Sequence, residues 1–309
     1  MLIYSLKRIG LALLTLWIII TLTFVLMHSI PGNPFAQEGT MPDAIYENLQ
    51  RYYNLDKPLL VQYGLYLQSL LQLDFGPSLK SSSISVNEYI KNGFPISLHL
   101  GTQALFIAIT FGLIFGVVAS LYRNRWPDYL SMILAIIGIS VPNFILATFL
   151  INYFAVEWKL FPVATWKSWS HTILPSIALA MMPMAYIARL MRSSMLEVMN
   201  QDYILTAKSK GLANSTIIIK HAIRNAILPV VTVLGILIAN LVTGSFIIEN
   251  IFGIPGMGEM FVKSIFNRDY PVILGSTIFY SAILIFLILI VDLAYTWIDP
   301  RIKISEGKK

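Results

Sequence analysis

Six times along its 309 residues this chain runs for 17 to 28 residues without a single Asp, Glu, Lys or Arg. The stretches are 9–30, 98–122, 129–156, 172–188, 225–248 and 270–291. The hydrocarbon core of a bilayer, about 30 Å thick, takes roughly 20 helical residues. Backbone polar groups inside it must bond within their own segment, which makes each stretch a helix. Six transmembrane helices in an all-α membrane protein are therefore expected, the fourth being the shortest. Composition agrees: 56% of residues are hydrophobic, 12% are charged and the mean hydropathy is +0.70. That is more apolar surface than one water-soluble core could bury. Lys7 and Arg8 precede the first stretch as in a signal peptide, but it is too long for an h-region and has no small-x-small cleavage site. It reads as a retained span.

A net charge of +6 suggests nucleic acid in a soluble protein; here its distribution decides the meaning. An even number of spans puts both termini on one side. That side would carry 14 of the 22 basic residues and 6 of the 16 acidic ones, about +8 against −2 across the membrane. Both termini and the loop 189–224 are thus expected in the cytoplasm. Cysteine is absent, which excludes disulfides and thiolate chemistry.

No linker or repeat divides the chain, so 1–309 reads as one membrane domain with two elaborated connections. Segment 31–97 carries turn signals at Pro31-Gly32-Asn33-Pro34, Phe75-Gly76-Pro77 and Ser81-Ser82-Ser83. Between them lie amphipathic helix patterns at 43–53 and 59–71, together an extracellular cap. The spans hold almost no ionisable group, Glu249 and Asp292 falling at or near their ends. Ion-coupled carriers usually keep a carboxylate at mid-depth, so energy is expected to enter elsewhere; uncharged Asn, Thr or carbonyl groups remain an alternative ion site.

The loop 189–224 offers that other entry. Residues 201–211 read as one complete short helix, with Asp202 at its positive end, Lys208 and Lys210 in its last turn and Gly211 suited to the left-handed residue beyond. A second helix starts near Asn214 or Ser215 and runs through Lys220, His221 and Arg224 toward the fifth span. A helix of fewer than about 12 residues is marginal alone in water and needs something to pack on. Either a partner protein or the lipid headgroups fit.

Asp202-Tyr203 through Thr206-Ala207, then Lys210-Gly211, then His221-Ala222-Ile223-Arg224-Asn225-Ala226 to Pro229 resembles the cytoplasmic coupling loop of ABC-importer permeases, in the form found in peptide and nickel permeases. The match to the Glu-Ala-Ala…Gly motif is partial: Leu205 and Thr206 replace its first two residues, while Ala207 and Gly211 keep the small positions. The likeness extends over nearly the whole chain. It includes Arg8 with Ile30-Pro31-Gly32-Asn33-Pro34, Leu55-Asp56-Lys57-Pro58-Leu59 with Gln62-Tyr63, and Asp74-Phe75-Gly76 with Ser78. Further on come Glu249-Asn250-Ile251-Phe252-Gly253-Ile254-Pro255-Gly256-Met257-Gly258 and Arg268-Asp269-Tyr270-Pro271. Within the family it is similar to B-type oligopeptide permease subunits of Gram-positive bacteria.

The resemblance implies a type I ABC-importer permease (MetI-like) core in a bacterial cytoplasmic membrane. It implies a second permease subunit, two ABC ATPases that use ATP and Mg, and an extracellular peptide-binding lipoprotein as partners. This chain would be non-catalytic, bind no cofactor and no nucleic acid, and pass a peptide by alternating access. Asp202, Tyr203, Thr206, Ala207, Lys208, Lys210, Gly211 and Leu212 become the candidate ATPase-coupling residues, with His221, Arg224 and Asn225 orienting the loop. Candidates for the pathway or gate are Asn240, Thr243, Gly244, Ser245 and Glu249, from the small and polar face of span five and its end. A nickel or metal-chelate importer is the alternative within the class; a secondary carrier or membrane scaffold is the alternative outside it.

Other motifs read as structure. The glycines and proline of 252–258 make a tight turn before a short amphipathic helix carrying Met260, Phe261 and Ile265. Asp269 can cap the sixth span, and Pro271 is tolerated in its first turn. Pro142 and Pro183 are expected to kink spans three and four. His28, His99, His171 and His221 are scattered without zinc spacing, and no Gly-x-x-x-x-Gly-Lys-Ser/Thr phosphate loop is present, so the chain is not itself an ATPase.

Overall fold

The computed structural model describes residues 2–29, 43–80, 84–242 and 245–298. The turn at 31–34, the serines 81–83, Thr243 and Gly244, and the basic residues from Arg301 onward lie outside them. Fourteen α-helices are described: α1 Leu2–Ser29, α2 Asp43–Tyr52, α3 Leu59–Leu71, α4 Val86–Leu121, α5 Trp126–Ser140, α6 Asn143–Leu150, α7 Ser170–Val198, α8 Asp202–Ser209, α9 Asn214–Thr216, α10 Arg224–Ala226, α11 Leu228–Val242, α12 Phe246–Ile251, α13 Met257–Asn267 and α14 Tyr270–Ile298. Two π-helical turns, Ile151–Glu157 after α6 and Ile217–Ile223 between α9 and α10, complete them.

Helices α1, α4, α7 and α14 are each long and apolar enough to cross a membrane unbroken. The other two spans are bent pairs: α5 with α6 and its π turn at 109°, and Asn214–Ala226 with α11 at 50°. Six spans result only if each pair counts as one.

The prolines explain part of this. Pro142 follows Val141, whose backbone is extended (φ −88°, ψ 120°), the conformation a following proline favours, and the helix breaks there instead of merely kinking. Pro175 and Pro183 lie inside α7 without ending it. α7 is the most enclosed of the long helices, 61% of its apolar window being buried, and packed neighbours can hold a helix through a proline. It also runs on through Arg189 and Arg192 to Val198, so the first ten residues of the expected loop 189–224 are helix. Span five is likewise shorter than its apolar stretch: α11 ends at Val242 and α12 begins afresh after Ser245.

The chain divides into two compact units. One comprises Met1–Ile96 with Gly256–Phe286, the other Ser97–Pro255 with Leu287–Lys309. In the first, Val86, Ile90, Met257 and Val272 form a buried core flanked by Phe75, Tyr89, Phe94, Phe279 and Tyr280. Asp269 is buried here, but its carboxylate takes the Ser78 hydroxyl and the Leu79 N–H (3.1 Å), fastening loop 77–80 to the start of α14. Its sequence reading as a simple helix cap is therefore incomplete.

In the second unit α4 and α5 close on α7. A Cβ added to Gly116 would stand 2.6 Å from the Cβ of Met191, so glycine is what lets α4 approach this near. The Asp128 carboxylate at the start of α5 receives Nε and Nη2 of Arg192 on α7, both at 2.7 Å, and also the N–H of Asn124 at 3.0 Å. The Asp128 side chain is 3% exposed and that of Arg192 26%, so the carboxylate end of this bidentate pair is covered where α5 and α7 meet.

Candidate functional site

The candidate coupling residues occupy one contiguous projection. α8 starts after extended Gln201 and ends at Ser209, with Lys210 as its C-cap; Gly211 follows with φ +74°. The Gly211 N–H bonds Lys208 O (2.9 Å) and the Leu212 N–H bonds Ala207 O (3.3 Å), the paired ending that only a left-handed residue completes. Nothing lies within 4 Å of a Cβ added there, so glycine is required by its backbone angle and not by crowding within the chain.

Eight residues cannot hold a helix in water unaided. Ile204 (0% exposed) and Ala207 bury themselves in the same chain as anchors. Ala207 is therefore small for internal packing. The opposite face is open: Asp202, Tyr203, Leu205, Thr206, Lys208, Lys210, Gly211 and Leu212 are all exposed. Tyr203, Leu205 and Leu212 keep 42, 53 and 41% of their surface uncovered, an apolar patch beside two lysines.

Asn225 links this projection to the segment that follows it. Its amide donates to the Tyr203 hydroxyl (3.1 Å) and to the His221 carbonyl (2.9 Å), tying α8 to the segment that leads into α11. His221 enters through its carbonyl, at the end of the π turn, and Arg224 is exposed on the same stretch. Of the three loop-orienting candidates, Asn225 makes the side-chain link.

The pathway candidates separate. Asn240 and Ser245 line one groove of about 500 Å³ in the second unit, with Asn143 from α6 and Tyr186 and Arg189 from α7. Thr243 and Gly244 lie outside the described residues. Glu249 is fully buried, and its Oε1 accepts the Ser97 hydroxyl of α4 at 2.8 Å. It is a carboxylate buried inside the fold, in α12 beyond the end of α11, and is not among the residues that line the groove. Ser245 caps α12 by accepting the Ile248 N–H (3.5 Å), and α12 closes with Gly253 at φ +59°, whose N–H bonds Asn250 O while that of Ile254 bonds Glu249 O. The Thr165 N–H reaches Phe252 O (2.8 Å), pinning the loop before α7 to this turn.

Sequence reasoning did not find the groove residues Asn143, Tyr186 and Arg189, nor the partners Ser97 and Arg192. Arg189 and Arg192 were visible as basic residues, but only the extension of α7 puts them on a span helix. Asn143 follows Pro142 directly, and the break there was the available signal.

Residues 108–304 match the family described as "Binding-protein-dependent transport system inner membrane component". The chain is 57% identical over 303 residues, 98% of each chain, to the dipeptide transport system permease protein DppB of Bacillus subtilis strain 168. It is 42% identical to DppB of Lactococcus lactis over 97% of this chain and 99% of that one. With the oligopeptide transport system permease protein OppB of Escherichia coli K12 it shares 40% over 98% of this chain and all of the other. In fold it is similar to an amino-acid ABC transporter crystallised with histidines, at 16% identity and a TM-score of 0.53, over 67% of this chain and 92% of that one. An α-helical bundle of bent spans with an exposed eight-residue helix at its connecting loop is thus a member of the binding-protein-dependent transport system inner-membrane family.

Proposed function

We propose that this chain is a permease subunit of an ATP-driven importer that carries dipeptides or short oligopeptides across the cytoplasmic membrane of a Gram-positive bacterium. It works beside a second permease, two cytoplasmic ATPases and an extracellular peptide-binding lipoprotein, with both its termini in the cytoplasm. The chain itself performs no covalent chemistry, and ATP with Mg is spent by the partners.

The observation that carries this reading is the open face of α8. Tyr203, Leu205 and Leu212 form an apolar patch on a helix anchored from behind by Ile204 and Ala207 and braced by Asn225. A lever needs both a grip and a rigid root. Closure of the ATPase pair would push on the grip, and the stretch from Asn214 to α11, bent by 50°, would pass the movement to the groove that Asn240, Ser245 and Arg189 line. Peptide as cargo is supported by the names of full-length relatives at 40–57% identity.

Uptake of labelled dipeptide, labelled tetrapeptide and nickel by cells expressing or lacking this subunit tests the reading. Loss of peptide uptake alone on deletion is expected. Loss of nickel uptake with peptide uptake intact would replace this reading by the metal-chelate alternative.

A further inference from the structure

α8 is joined to the spans at both ends, and the two joints differ. After it, the chain reaches α11 through a π-helical turn and a 50° bend. Before it, only residues 199–201 separate it from α7. They form a closed turn, in which the N–H groups of Asn200 and Gln201 bond Glu197 O (3.2 Å) and Val198 O (3.1 Å). α7 itself is unbroken from Ser170 to Val198, so a push on α8 reaches a span most directly through α7.

α7 meets α4 and α5 at glycines. A Cβ on Gly112 would stand 2.8 Å from Ile187 Cβ, and one on Gly138 would stand 2.8 Å from Met181 O. Such positions let helices approach closely, but apolar attraction has no direction, and a helix held by it alone can roll or slide along its neighbour. Near the α8 end of α7 one contact does have a direction. Arg192, about two turns before Val198, gives Nε to Asp128 Oδ1 and Nη2 to Asp128 Oδ2, both at 2.7 Å. Two parallel bonds set both the rotation and the level of α7 against α5. Oδ2 also takes the N–H of Asn124 (3.0 Å), a residue at φ +59° in the turn after α4. One carboxylate thus ties together α7, the start of α5 and the turn that joins α5 to α4.

Stability alone does not call for such a pair. Taking a carboxylate out of water costs about as much as the attraction returns, so apolar side chains would hold α5 to α7 equally well. They would not fix one register. α5 is also the arm that leads to the break at Pro142, and Asn143 just beyond it lines the groove with Tyr186 and Arg189. Any rotation of α7 that α5 follows without slip moves Asn143 with it.

We propose that Arg192 and Asp128 are positioning residues for transport: the pair carries the movement of α8 and α7 into α5, and so to the groove wall at Asn143. The pair has this role only if α8 is the part that the ATPases drive, as in the function proposed above.

The test uses the whole transporter in liposomes, both permeases with the ATPases and the binding lipoprotein, and reads peptide imported per ATP hydrolysed. Asp128→Asn/Arg192→Met removes the pair, leaves no charge behind and keeps an acceptor for the Asn124 N–H. Its thermal midpoint and basal ATPase rate should stay near wild type while peptide imported per ATP falls about tenfold. Arg192→Lys keeps the charge without the paired donors and should fall between that variant and wild type. It decides the question where the double variant does not assemble. An unchanged ratio in either variant, uptake falling only as the amount of assembled transporter falls, overturns the proposal. Failure of wild-type α8 to crosslink to an ATPase is a separate result, and would remove the role of α8 itself.

Discussion

α8 and α12 are built alike and placed oppositely. Both are short, at eight and six residues, and both end on a glycine of positive φ that closes the same pair of backbone hydrogen bonds. α8 buries two residues and opens the rest, whereas α12 hides Ile248 and Glu249 completely and its turn adds Phe252 and Ile254 at 2 and 0% exposure. The local code that starts and stops a helix is thus independent of where the helix goes. Placement comes from what its middle residues touch: Ile204 and Ala207 root α8 while leaving a surface, and Glu249 with Ser97 locks α12 to α4. One is arranged as a handle and the other as a fixed corner.

Substitutions can break that contrast, beginning with the corner. Glu249→Ala removes the acceptor of the Ser97 hydrogen bond and leaves a cavity, a loss of about 4 kcal/mol, read as a lower thermal midpoint of the purified protein. Glu249→Gln keeps an acceptor and should lose less than about 1 kcal/mol. A Glu249→Ala protein as stable as wild type would show that α12 is not fixed in this way. Next, Ile204→Ala should cost about 3 kcal/mol, spent locally by freeing α8. Proteolysis at Lys208 and Lys210 in inside-out vesicles should rise severalfold while the spans stay intact, and unchanged proteolysis would deny α8 its anchor.

Smaller effects sharpen the difference. Gly211→Ala meets only its left-handed backbone, about 1 kcal/mol, with transport reduced but present. Gly211→Trp carries the same backbone cost, and a Cβ there has nothing within 4 Å in this chain, so a complete loss of uptake with normal membrane insertion, beside partial transport in Gly211→Ala, would locate a partner at that surface. Smallest of all, Tyr203→Phe removes one half-exposed hydrogen bond to Asn225, about 0.5 kcal/mol. Its uptake should fall less than twofold; a tenfold fall would make the brace, and not the apolar patch, the essential part.

The sequence was legible where causes are local. Gly211 and the lysines marked the end of α8, and the charge-free stretches marked every span. It misled where two similar local signals have different surroundings. Pro142 and Pro183 look alike in sequence, yet one breaks a span by 109° and the other lies inside an unbroken α7, 61% of whose apolar window is buried. Contacts between distant residues were beyond such reading: Asp128 meets Arg192 across 64 positions and Ser97 meets Glu249 across 152. Periodicity made 59–71 a helix but, by calling it amphipathic, concealed that it carries no charge and buries nothing.

The account rests on α8 being held by an ATP-hydrolysing partner on the cytoplasmic side, and the cysteine-free chain lets that be measured in the assembled transporter. Leu205→Cys, carrying a short photoactivatable crosslinker, should join the ATPase subunit in membranes and form more or less adduct when ATP is trapped. Before the crosslinker is attached, the free thiol of Leu205→Cys should stay unlabelled by an impermeant maleimide added to intact cells. Labelling from outside, or adducts with lipid alone, would contradict the account.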